Sequence, residues 1–117
     1  MLVREWKLRI EDILEAIDQI AQFTQGMTFE AFCADAKTVK ASLYNIAVIG
    51  EAARHVPPEV IEKYQRIPWK EMRDIRNVVI HEYFGVDLDI LWETICHELP
   101  PLLPMLREIL EKNADLA

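Results

Sequence analysis

Apolar residues recur at steps of three and four along most of the chain, the period of a helix with one buried face. Leu2, Trp6, Ile10, Ile13, Leu14, Ile17, Ile20, Ala21 and Phe23 trace one such stripe. They predict an amphipathic helix over residues 3–24, with Gly26 suited to its C-terminal cap. Thr28 can cap a short helical turn carrying Phe29 and Phe32. Asp35 precedes a longer helix, about residues 36–55, with Val39, Leu43, Ile46, Ala47, Ile49 and Ala53 for the core. Pro57-Pro58 ends it and opens a short segment to about Tyr64. Pro68 marks the next start, and Trp69, Met72, Ile75, Val79 and Ile80 follow at helical spacing. Gly85 and Asp87 mark a break and a new cap. A last helix begins near Leu88 and is kinked or split by Pro100, Pro101 and Pro104. No alternating strand pattern exceeds Val78-Val79-Ile80. The expected fold is all-α, an antiparallel bundle of four to five helices.

The length of 117 residues fits a single domain, residues 1–117, able to bury roughly two thirds of its unfolded surface. The hydrophobic fraction of 51% and only three glycines favour long regular elements over loops. The N-terminus turns charged at once, so no secretory signal is expected, and no apolar run approaches a membrane span. Cys33 and Cys96 are far apart and fit no ligand spacing. They read as reduced core thiols of a cytoplasmic protein. The net charge of −7 argues against a general nucleic-acid binder. Its distribution is uneven, however. Between Lys63 and Arg76 five basic residues (Lys63, Arg66, Lys70, Arg73, Arg76) face two acidic ones (Glu71, Asp74), a local excess of three positive charges.

That basic stretch runs into Arg76-Asn77-Val78-Val79-Ile80-His81-Glu82-Tyr83, which gathers a fixed cation, an amide, an imidazole and a phenol. An arginine can grip a phosphate with a planar fork of donors at any physiological pH. A histidine moves protons near neutrality. The matching chemistry is RNA cleavage by the neighbouring 2′-hydroxyl, without metal. His81 would serve as general base or acid, Arg76 would stabilise charge on the pentacoordinate phosphate, and Asn77 would orient His81 or bond a phosphate oxygen. Lys70 and Arg73 are candidate phosphate contacts. On an ideal helix, about 100° per residue, Arg76 and His81 stand about 140° apart, too far for one small site. Either the helix deforms between them, or the groups converge with those of a second subunit across a symmetric dimer.

Each residue also has an ordinary structural use. A lone arginine commonly pairs with a carboxylate, here Asp74 or Glu82, and a histidine near a helix end commonly caps it. Tyr83 could bury its ring and leave only the hydroxyl wet. Gly50, inside a helix, points to close packing against a neighbour. Glu51 is either an exposed carboxylate or a cleft residue holding Arg73 or Arg76. His55 and His97 have no ligand spacing and read as structural. No metal or cofactor is implied.

The sequence resembles the HepT-like branch of the HEPN superfamily, small helical ribonuclease toxins. The matching pieces are Ile49-Gly50-Glu51-Ala52, Ile67-Pro68-Trp69, Met72 to Asn77, His81-Glu82-Tyr83, Val86-Asp87 and Trp92. Together they span most of the chain, from about residue 3 to 112. The resemblance implies a HEPN-type helical bundle that dimerises, with both copies of the motif lining one cleft. It implies a metal-independent endoribonuclease acting through Arg76 and His81, with Asn77 beside them. It also implies a partner, a minimal nucleotidyltransferase antitoxin that attaches AMP to Tyr83, in a homodimer or a higher oligomer of the complex. The alternative function is a non-catalytic bundle that docks a nucleotidyltransferase, with the same motif as an interface patch.

Overall fold

The computed structural model describes residues 3–80 and 85–115. Among these the chain forms seven α-helices: α1 (Val3–Thr24), α2 (Phe29–Ala34), α3 (Ala36–Arg54), α4 (Pro58–Lys63), α5 (Trp69–Val79), α6 (Leu88–Glu93) and α7 (Leu102–Lys112). The fold is all-α, as the periodicity predicts. No helix among the described residues is long and apolar enough to cross a membrane.

The helix ends follow from local chemistry. After α1 the chain reverses at Gly26, whose φ of 75° is open to glycine at little cost. The Thr28 hydroxyl accepts the backbone N–H of Ala31 at 3.1 Å and starts α2. The Asp35 carboxylate accepts both the N–H and the hydroxyl of Thr38, at 3.0 and 2.8 Å, and starts α3. Asp87 does the same for α6, accepting from the Ile90 N–H at 3.0 Å. Each bond satisfies a donor that the first helical turn leaves open.

Trp6, Ile10, Ile13, Ile17 and Ile20 form the buried face of α1, and Ile46, Ile49 and Ala53 that of α3. α1 lies against α3 and α7, α3 against α2 and α5, and α5 against α6. Arg9 and Asp12 share a groove with Ala52 and His55, and Glu15 and Gln19 share the next with Tyr44 and Asn45, so α1 and α3 run antiparallel. Phe32 is fully buried and its ring lies 4.9 Å from that of Trp92, which ties α2 to α6.

The predicted split of the last helix is present, and its form is a finding. α6 passes into a π-helical turn, Thr94–Glu98, with the Leu99 N–H bonded to the Thr94 carbonyl at 3.0 Å. Pro100-Pro101 then separate it from α7. Pro104 sits in the first turn of α7, where its missing N–H has no helical partner to lose. Buried Ile95 and Leu99 line the inner side of the wide turn, and Cys96 is left exposed. Its expected place in the core is therefore corrected; Cys33 is half-buried.

Candidate functional site

Lys70, Arg73, Arg76 and Asn77 lie on α5, and the local sequence explains how that helix is fixed. Pro68 stands just before it, the Trp69 indole N–H donates to the Tyr64 carbonyl at 3.0 Å, and Met72 and Val79 are buried. On the α3 side the contact is nearly backbone to backbone. A Cβ at Gly50 would stand 3.5 Å from the carbonyl oxygens of both Met72 and Arg73. The close approach expected of Gly50 is thus present, with room for a methyl group and little more.

Lys70 is exposed and pairs with Asp74 at 3.3 Å. Arg73 is half-buried, while Arg76 and Asn77 are exposed. Among the described residues the side chains of Arg73, Arg76 and Asn77 take no hydrogen bond or ion pair. Asp74, one suggested partner for Arg76, is engaged by Lys70; Glu82, the other, lies outside the described residues.

The helix ends at Val79. Ile80 takes an extended backbone, φ −109° and ψ 110°, and forms an antiparallel bridge with Val86. The Asp87 N–H donates to the Val79 carbonyl at 2.9 Å, and the Ile80 N–H to the Arg76 carbonyl at 2.8 Å. The helical spacing expected to carry through Ile80 therefore fails there, because the pairing with Val86 takes the residue out of the helix. The 140° separation on an ideal helix no longer applies between Arg76 and His81. The bridge and the bond from Asp87 to Val79 hold the end of α5 beside the cap of α6. His81, Glu82 and Tyr83 lie outside the described residues.

Glu51 is exposed and turns towards α1. Its carboxylate lies 3.8 Å from His55 Nδ1, and it borders a groove with Arg9, Asp12 and Val48. Among the described residues it makes no ion pair with Arg73 or Arg76. Arg54 is the cation that does reach α5, donating from Nη2 to the Arg73 carbonyl at 3.4 Å. Its sequence signal is its place four residues after Gly50, on the face that meets α5.

Comparison with known proteins decides the family. The profile of the family described as ribonuclease HepT-like matches residues 13–109, which include the whole run from Arg76 to Tyr83. The chain belongs to the HepT-like ribonuclease family. A probable ribonuclease HepT of Thermococcus cleftensis is 41% identical over 99 residues, 85% of this chain and 90% of that protein. Two relatives bear the name "putative RNase". One, of Caldanaerobacter subterraneus subsp. tengcongensis, is 40% identical over 104 residues, 89% of this chain and 93% of its own. The other, of Methanocaldococcus jannaschii, is 40% identical over 100 residues, 86% of this chain and 83% of its own. No solved structure gives a significant match.

Proposed function

We propose that this single-domain protein is a cytoplasmic, metal-independent endoribonuclease and the toxin of a toxin–antitoxin pair. The observation that carries the proposal is that Arg76 and Asn77, at the end of α5, have no side-chain partner among the described residues and stand just before the break at Ile80. A solvated guanidinium with no carboxylate beside it is open to a phosphate. Membership of a ribonuclease family supports RNA as the polyanion.

The reaction needs two proton transfers. The 2′-oxygen loses its proton and attacks the adjacent phosphorus, the P–O5′ bond breaks, and the 5′-oxygen leaves with a proton. The products end in a 2′,3′-cyclic phosphate and a 5′-hydroxyl. Arg76 neutralises charge on the equatorial oxygens, an effect worth about 10²–10³ in rate for one well-placed donor. A symmetric homodimer brings two copies of His81 to the cleft, one to take a proton and one to give it, an acid–base effect of about 10²–10⁴. Asn77 holds a phosphate oxygen or the imidazole, and Arg73 and Lys70 bind flanking phosphates.

The antitoxin is a minimal nucleotidyltransferase. The Tyr83 oxygen attacks the α-phosphorus of ATP, the bond to the β-phosphate breaks, and pyrophosphate leaves. The attached AMP carries a phosphodiester anion that competes with RNA for the Arg76 site. Co-expression with the nucleotidyltransferase encoded beside it should add mass in whole AMP units on Tyr83. Tyr83→Phe should stay unmodified and toxic. Neutralised protein with an unmodified Tyr83 would overturn the regulatory half. A stable complex whose HepT-like partner cleaves no RNA and harms no cell would make the chain a docking module instead.

A further inference from the structure

We infer that Arg54 is a second guanidinium at this site, holding an RNA phosphate next to the one at Arg76. This rests on the endoribonuclease reading above. Arg54 closes α3, yet its Nη2 donates across the helix contact to the Arg73 carbonyl at 3.4 Å. Within α5 the same carbonyl faces the backbone N–H of Asn77, four residues on. The tip of Arg54 therefore lies one peptide group from Asn77, and Arg76 is one turn beyond Arg73. Arg54 thus meets α5 within one helical turn of the residues that carry two further guanidiniums, Arg73 and Arg76.

None of the three is held by a carboxylate among the described residues. The chain has 20 acidic residues for 13 basic ones. Arg9, Lys70, Arg107 and Lys112 each pair with a carboxylate. Among the described residues Arg54, Arg73 and Arg76 pair with none. A cation in the last turn of α3 does complement the helix dipole, and its carbonyl bond does tether α3 to α5. Those roles need one cation; they do not account for two more guanidiniums on the adjoining turn of α5, Arg73 and Arg76, with no carboxylate partner among the described residues. The bond is long and exposed, and it uses one of the five guanidinium donors. It orients Arg54 and leaves the rest of the fork for a phosphate.

The test measures binding of labelled single-stranded RNA to the full chain carrying His81→Ala, so that cleavage does not intrude, over a range of salt in EDTA. Arg54→Gln in that background should weaken binding and lower the slope of log K against log salt by about 0.7, the value of one single-strand phosphate contact. Arg54→Lys keeps the charge and should keep the slope. With His81 intact, Arg54→Gln should raise KM and leave kcat within a few-fold. A purely structural Arg54 would shift the melting of both variants alike and leave both slopes at the parent's value, which would overturn the inference. If the protein with His81 intact cleaves RNA and Arg54→Gln binds and cuts as it does, only the role of Arg54 falls. If the unaltered protein neither binds nor cleaves RNA, the endoribonuclease reading falls first.

Discussion

Replacing Gly50 by alanine should stabilise the protein, and replacing it by leucine should dislodge the helix that carries Arg76. Glycine inside a helix is about 1 kcal/mol less favourable than alanine. At Gly50 a Cβ would stand 3.5 Å from the Met72 and Arg73 carbonyl oxygens and 3.7 Å from Ile75 Cγ2. These are ordinary contact distances, so a methyl fits without moving α5 and loses nothing sterically. The expected gain is about 0.5–1 kcal/mol, part of it from a less flexible unfolded chain. For a domain of this size that raises the melting temperature by roughly 2–6 °C. Leucine has three carbons beyond Cβ and meets two backbone carbonyls that cannot rotate away. Overpacking of this kind costs about 1–3 kcal/mol. Thermal and urea unfolding, followed by circular dichroism, read both changes. RNA cleavage by the same preparations reads the position of α5, with alanine at the parent's rate and leucine below it. An alanine variant that melts below the parent would refute the reasoning, since it would mean α5 sits closer to α3 than a methyl allows.

Phe32→Ala should lower stability by about 3–5 kcal/mol in urea titrations, because the ring is fully buried against Trp92 and leaves a cavity. Arg76→Ala should leave the urea midpoint almost unchanged, within about 0.5 kcal/mol, since its exposed side chain has no partner among the described residues. Asp35 gives a pH prediction. The backbone N–H of Thr38, then its hydroxyl, hold the Asp35 carboxyl below its ordinary value of 3.8. A carboxylate depressed in the folded state stabilises the fold above its unfolded value, and that stability fades as pH falls through the lower, folded value. Asp35→Asn still caps α3 but does not titrate, so its stability should fall less steeply than the parent's below about pH 4.

The features legible in the sequence are those decided by neighbours in the chain. Gly26, Thr28, Asp35, Pro68 and Asp87 mark helix ends because capping and φ preferences act within three or four residues. The apolar stripe of α1 is likewise local. What escaped the pattern depends on distant partners or on a change of helix type. Ile80 continues the helical spacing of Val79, yet a bridge to Val86 decides its conformation. Cys96 follows Ile95 in an apolar helix, and the π-helical turn leaves it outside. Arg54 lies 19 residues from the carbonyl it meets, and only the α3–α5 crossing brings them together. Of the candidate site, Arg76 and Asn77 stand together on the exposed end of α5. Glu51 could have faced either way; the fold turns it to His55.

The central claim is that Arg76 and His81 cut RNA without a metal. Its most direct measurement is the cleavage rate of one RNA by the parent, Arg76→Ala and His81→Ala, side by side in excess EDTA. Cleavage by the parent, leaving 2′,3′-cyclic phosphate ends, is expected, with a loss of about 10²-fold or more in each variant. Cleavage that needs added metal, or that persists at the parent's rate in His81→Ala, would contradict it.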